Sequence, residues 1–373
     1  MSLISPISYR QCTRCVMDSS DPDIVFDNKG KCNHCTDFDE RIIKRTYRPG
    51  ESEKSLLALV ERIKHSGRGK AYDCVLGLSG GVDSCYAAWV ASKQGLRLLA
   101  VHLDNGWDSA EATDNVMQVV DRLGLGYERV RPDAKEFRDL QLAFLRASVP
   151  EAETPTDIAI PAVLHRVAAR HGIKYIISGG NYATEGILPE SWHYNAKDLK
   201  YLKAIHRRFG SMPIRSFPLF AWQHETYYKF FKGIRMVYLL NYLPYNKAEA
   251  IELLQSELGW KPYGGKHYES NYTGWVQGVL LPQKFNIDYR RATFSSNICA
   301  GFMTRSKALE LLKHPPMQQA KAQAQTLAVA EKLGIELREL QEILNARPLS
   351  HNNYPNQRKW LGFLYGVYRL LKG

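Results

Sequence analysis

Asp73-Cys74-Val75-Leu76-Gly77-Leu78-Ser79-Gly80-Gly81-Val82-Asp83-Ser84 joins a short apolar run to a glycine pair and then to helix-forming residues. Residues 73–78 read as a buried strand, and residues 82–94 as a helix that Gly95 ends. The glycines let the backbone approach a ligand and adopt dihedrals closed to other residues. A helix starting near Val82 points free N–H groups and the positive end of its dipole back at the loop. Ser79, Gly80, Gly81, Val82 and Ser84 therefore form a phosphate site. Asp83 would repel a bare phosphate, so it is expected to hold magnesium or to orient a donor. No Gly-Lys-Ser/Thr follows, so this is not a Walker A loop.

Outward from the loop, strand and helix signals alternate. Residues 96–103, 127–130 and 174–178 read as further strands. Residues 109–123, 135–147 and 158–171 read as helices, with Ser109 and Asp157 as N-caps. This order implies an α/β domain with a parallel sheet covered by helices on both faces. Ligands of such sheets bind beyond the carboxyl ends of the strands. That edge carries His102 and Asp104 after the second strand, and Gly179-Gly180-Asn181 after the last. Glu185 follows as a further magnesium candidate. The regularity fades over 181–300 and helical patterns return over 303–373. We divide the chain at 1–50, 51–190, 191–300 and 301–373.

Cys12-Thr13-Arg14-Cys15 and Cys32-Asn33-His34-Cys35 are two Cys-x-x-Cys knuckles. Their spacing reads as a zinc ribbon, with a hairpin turn at Asp27-Asn28-Lys29-Gly30 between them. Four thiolates close a tetrahedral site, so the zinc is expected to be structural. Cys74, Cys85 and Cys299 sit among apolar or small residues and read as inert buried thiols.

The 373 residues carry 50 Lys+Arg against 38 Asp+Glu, a net charge of +12, which favours anionic partners. No apolar run is long enough for a transmembrane helix, and residues 1–10 lack a signal-peptide layout. A cytoplasmic protein is expected. The apolar stretch 360–371 suggests burial against another helix or in a homo-oligomer.

Ser79-Gly80-Gly81-Val82-Asp83-Ser84 resembles the Ser-Gly-Gly-x-Asp-Ser signature of the PP-loop ATP pyrophosphatases. The resemblance implies an adenine nucleotide alpha-hydrolase-like fold that cleaves ATP between its α and β phosphates. It also implies nucleotide contacts at His102, Asp104, Gly179, Gly180 and Asn181.

Further on, Gly264-Gly265-Lys266-His267-Tyr268-Glu269-Ser270 gathers a cation, an imidazole and a carboxylate. Lys266 suits the charge that develops as pyrophosphate departs, and Glu269 suits proton removal from an attacking amine. Arg290 and Arg291 suit a phosphate or carboxylate of the substrate. A solvated loop with ordinary ion pairs is the plain alternative.

With the zinc ribbon ahead of the loop, the stretch from Tyr263 to Arg291 resembles the bacterial N-acetyl sugar amidotransferases of LPS O-antigen and nonulosonic acid biosynthesis. The resemblance implies an ATP- and Mg2+-dependent ligase. It would adenylate the acetamido oxygen of a nucleotide-linked N-acetyl sugar, and ammonia would then displace AMP to leave an acetamidino group. This chain has neither an N-terminal nucleophilic Cys nor a Gly-x-Cys-x-Gly motif. The resemblance implies that ammonia comes from a separate glutaminase with a barrel-shaped partner, both similar to the histidine-pathway pair. Aromatic and basic residues over 192–245 leave a rival: a tRNA-modifying PP-loop enzyme. Sulfur-inserting relatives carry extra catalytic cysteines near the nucleotide site, whereas the three spare cysteines here are widely scattered, although Cys85 adjoins the loop; nucleic acid is the weaker expectation.

Overall fold

The computed structural model describes residues 9–263 and 268–370. Its centre is a five-stranded parallel sheet in the order β3-β2-β1-β4-β5. The strands are β1 (Cys74–Gly77), β2 (Leu98–Leu103), β3 (Gly126–Val130), β4 (Tyr175–Ser178) and β5 (Arg235–Tyr238). Alternate residues of β1 and β2 feed opposite cores. Cys74, Leu76, Leu98 and Ala100 pack with the helices Val82–Lys93 and Lys247–Leu258, while Val75, Leu99 and Val101 pack under the helix Thr154–Arg170. Burial on both faces explains why these strands read as continuous apolar runs.

Strand order reverses between β1 and β4, the point at which open α/β sheets leave a crevice for ligands. The Gly-rich loop leaves β1 at this crevice and Gly179-Gly180 leaves β4 beside it.

Two sequence expectations are corrected. β5 lies in the stretch read as irregular; as an edge strand it keeps Arg235 and Tyr238 exposed, so no apolar run marks it. Asp157 is not an N-cap: the helix begins at Thr154, with Pro155 in its first turn, and Asp157 lies one turn inside. The last helix, Arg358–Leu370, buries Leu361 but exposes Trp360 and Phe363. Ser109 does cap its helix, accepting from the Ala112 N–H at 3.1 Å.

A third core joins the cysteine ribbon to the C-terminal helices, with Phe38, Trp192, Tyr272, Trp275 and Leu340 buried in it. The insert after β4 is pinned from below by Glu136. Its carboxylate accepts the backbone N–H groups of Arg215, Ser216 and Phe217 at 2.7–3.1 Å. No helix of the described residues is long and apolar enough to cross a membrane.

Candidate active site

The loop after β1 is held by its own hydroxyls. Ser84 Oγ accepts the Ser79 N–H at 3.2 Å and donates to Gly81 O at 3.1 Å, and Ser79 Oγ accepts the Gly81 N–H at 3.3 Å. Gly80 has φ +80°, and a Cβ there would meet Ala112 O at 2.2 Å. Trp260 Nε1 donates to Gly80 O at 2.9 Å and Tyr263 OH accepts the Val82 N–H at 3.2 Å. Side chains from after β5 thus brace the backbone of the loop.

Gly179 must be glycine for a different reason. A Cβ on it would lie 2.6–2.7 Å from the backbone of Asp83 and Ser84. The two loops therefore pack main chain against main chain. Tyr245 OH donates to Asp83 Oδ1, and Lys247 Nζ stands 3.9 Å from Oδ2. Burial, and then the Asp83 charge, push the Tyr245 phenol above its ordinary pKa, so it stays a donor.

A cavity of about 470 Å³ opens from Ser79, at the carboxyl ends of β1, β2 and β4. His102, Asn105 and Asp108 line it from the β2 side, and Thr156, Asp157 and Ile160 from the helix Thr154–Arg170. Glu269, Ser270, Thr273, Gln277 and Tyr289 close it from the C-terminal half of the chain. Glu269 arrives there because residues 269–271 lie along residues 107–109. The Ser109 N–H donates to Glu269 O and the Asn271 N–H to Trp107 O, both at 2.8 Å. The Glu269 carboxylate faces the loop, with Oε1 3.1 Å from where a Gly81 Cβ would be.

Four carboxylates therefore line the cavity: Asp108, Glu153, Asp157 and Glu269. Bare triphosphate would be repelled by them, but a magnesium-bound nucleotide fits, since Mg2+ takes one or two carboxylates together with phosphate oxygens.

His102 is buried and saturated. Its Nδ1 lies 2.8 Å from Leu78 O and its Nε2 3.1 Å from Asp108 Oδ2. Both neighbours accept, so they favour the imidazolium form, which donates from both nitrogens. Burial opposes that charge, but the bond to Asp108 and its charge outweigh burial and raise the His102 pKa. The resulting stabilisation is complete below the unfolded value of about 6.5 and is lost as pH rises through the raised folded-state value. Asp108→Asn should return the His102 titration, followed by NMR, to or below 6.5, and should remove that part of the pH dependence of the urea midpoint. An unchanged His102 titration would contradict the pairing.

The other candidates fall in varied places. Asp104 is held by Arg129 at 2.7 Å and by Arg131. Asn181 caps a short helix, accepting the Thr184 N–H at 2.9 Å, and its buried Nδ2 has no partner among the described residues. Gly180 stands against the Tyr238 ring. Arg290 binds Asp288 at 2.7 Å and the carbonyl of His314 at 2.9 Å. Arg291 binds Asp18 at 2.8 Å and the carbonyl of Val16 at 2.9 Å. Lys266 lies outside the described residues. The sequence reading did not single out Asp108, Thr273, Gln277 or Tyr245 for the site, because only folding brings them to the loop.

The four knuckle cysteines converge as a metal site. Their Sγ atoms lie within 4.8 Å of one another, with Cys12–Cys35 at 3.8 Å and Cys15–Cys32 at 3.6 Å. Zinc with Zn–S bonds of about 2.3 Å in a tetrahedron needs sulfur pairs about 3.8 Å apart, so the residues fit a structural zinc. The turn at Asp27–Gly30 forms between the knuckles, with Gly30 at φ +78°. Cys299 is buried as expected, but its Sγ lies 3.7 Å from Cys35 Sγ, where it donates to a ligand sulfur.

Residues 69–183, from before β1 to past the β4 loop, match the family described as thiamine biosynthesis protein (ThiI). Residues 269–366 match the family described as LPS biosynthesis protein WbpG-like, C-terminal domain. The Caenorhabditis elegans protein named "Probable mitochondrial tRNA-specific 2-thiouridylase 1" is 29% identical over 140 residues, 33% of this chain and 36% of that protein. The tRNA-specific 2-thiouridylase MnmA of Thiobacillus denitrificans is 33% identical over 128 residues, 30% of this chain and 35% of that one. The chain thus spans about a third of the length of the curated relatives it matches. Among solved structures, NMN synthetase from Francisella tularensis aligns with TM-score 0.29 and 16% identity, covering 59% of this chain and 99% of that one.

Proposed function

We propose, for a chain in which a PP-loop domain of the adenine nucleotide alpha-hydrolase type precedes a WbpG-like C-terminal domain, that it is an ATP-dependent amidotransferase acting on a nucleotide-linked N-acetyl sugar in LPS biosynthesis. The observation that carries this reading is the shared cavity. Residues of the WbpG-like segment, Glu269 to Tyr289, face Ser79 and Gly179 across one space.

ATP lies with its phosphates on the Ser79–Ser84 cradle. The acetamido oxygen of the sugar attacks the α-phosphorus and pyrophosphate leaves. Adenylation turns a poor leaving group into a good one. Ammonia adds at the activated carbon, the C–O bond breaks, and AMP departs with the former carbonyl oxygen. Glu269 takes the proton that the attacking nitrogen loses. Thr273 and Gln277 offer a hydroxyl and an amide to orient the acetamido group. Asp83, set by Tyr245 and Lys247, and the lining carboxylates hold the magnesium that accompanies ATP. Ammonia comes from a separate glutaminase and its barrel-shaped partner.

The curated relatives favour one other reading, tRNA thiolation. Sulfur transfer needs an accessible nucleophilic cysteine, yet all seven cysteines are buried and none lines the cavity among the described residues. Cys85, beside the loop, is held protonated by burial, its thiol pKa raised. Pyrophosphate release separates the two readings. With ATP, Mg2+ and ammonium, a UDP- or CMP-linked N-acetyl sugar should stimulate it at least about tenfold, and unmodified tRNA should not. Stimulation by tRNA alone would overturn the proposal.

A further inference from the structure

A second cavity, of about 340 Å³, opens on the same edge of the sheet at the end of β5. Lys44, Arg45 and Arg48 line it on one side, and Tyr182, Tyr238 and Asn241 on the other. Arg48 pairs with Glu51 at 2.6 Å, but no carboxylate pairs with Lys44 or Arg45 among the described residues. Arg45 instead lies over the Tyr182 ring, its guanidinium carbon 5.5 Å from the centroid. Tyr238 packs beside Tyr182 with centroids 6.0 Å apart and is itself 41% exposed. Asn241 Oδ1 accepts the Tyr182 N–H at 2.8 Å, and its Nδ2 has no partner among the described residues.

Uncompensated cations in a concave site call for an anion, and Arg suits phosphate oxygens best. Tyrosine faces beside them suit a base, as in sites that stack nucleotides. The free amide of Asn241 suits a base carbonyl. The first cavity has the opposite character, rich in carboxylates. One chain segment joins the two: Gly179 lines the first and Tyr182 the second. Three residues span at most ~11 Å, and the Tyr238 ring stands 3.2 Å from where a Gly180 Cβ would be.

We infer that the second cavity binds the nucleoside diphosphate of the acceptor. The diphosphate lies on Lys44 and Arg45, and the base against Tyr182 and Tyr238. The attached sugar passes Gly180 into the first cavity. This inference rests on the acceptor being a nucleotide-linked sugar, and it adds where the carrier is held.

Calorimetric titration of the full chain with UDP, in the presence of a saturating non-hydrolysable ATP analogue, tests it. UDP should bind in addition to the analogue. Arg45→Gln and Lys44→Gln, both at exposed positions, should each weaken UDP about tenfold and leave the affinity for the analogue within about twofold. Inorganic pyrophosphate should bind about tenfold more weakly than UDP, for want of a base to stack. Displacement of UDP by the analogue, unchanged UDP affinity in both variants, or pyrophosphate binding as tightly as UDP would each overturn the inference. The titration reads binding without turnover, so its failure is distinct from a failure of the amide chemistry. UDP held here while no N-acetyl sugar yields AMP would leave the subsite standing and remove the acceptor.

Discussion

Gly179→Ala should reduce acceptor-dependent AMP formation by about 10²-fold or more while the protein remains folded. The added methyl would stand 2.6 Å from the Asp83 carbonyl carbon and 2.7 Å from the Ser84 nitrogen, which are backbone atoms that no rotamer change can move. The loops after β1 and β4 must then part. Overpacking of this kind costs about 1–3 kcal/mol of stability, which a large domain survives. Catalysis is less tolerant, since a shift of about 1 Å in a reacting group costs about 10²-fold. Asp83 would move with the loop, and with it the contact to Tyr245. Gly362→Ala, in the last helix, is the control for activity, since nothing lies within 4 Å of the place its methyl would take. Turnover with intact kcat/KM in Gly179→Ala would mean that the loop junction is not where ATP is held.

Cys12→Ser should abolish zinc binding and most of the soluble yield together. Zinc in small ribbons supplies about 10–16 kcal/mol of folding free energy, and losing one thiolate forfeits much of it. Here the consequence reaches the cavity. Arg305 donates to the carbonyls of Cys12 and Cys15 at 3.0 Å, and Ser295 Oγ accepts the Val16 N–H at 3.2 Å. The helix Tyr289–Cys299 therefore runs from the cavity wall to the metal site. Any Cys12→Ser protein recovered should melt about 10 °C or more below the wild type, as expected for a loss of about 5 kcal/mol in a large domain. Cys299→Ser should still bind zinc, because only the four knuckle sulfurs all lie within 4.8 Å of one another. Zinc analysis and melting curves of the two variants check this. Full zinc in Cys12→Ser, or none in Cys299→Ser, would contradict the ligand set.

What was legible in the sequence was local. The Ser79–Ser84 loop, the strands β1 to β4 and the paired knuckles each announce themselves within a few residues, because turn dihedrals, strand burial and metal closure constrain neighbours. Tyr245 reaches Asp83 across 162 positions, and Asp108 meets His102 only because the loop after β2 folds back. No local pattern encodes such meetings. Charge alone was equally mute about Arg290 and Arg291. Both guanidiniums satisfy carboxylates and carbonyls of the protein, Asp288 for one and Asp18 for the other. β5 escaped because an edge strand needs no continuous apolar run.

The central claim is that ATP activates an amide oxygen. The most direct measurement uses a nucleotide N-acetyl sugar labelled with oxygen-18 in its acetamido carbonyl, incubated with ATP, Mg2+ and ammonium. Mass spectrometry should find the label in AMP, and a sugar product lighter than the unlabelled substrate by about one mass unit, as O becomes NH. Label retained in the sugar, or ADP formed in place of AMP, would contradict the account.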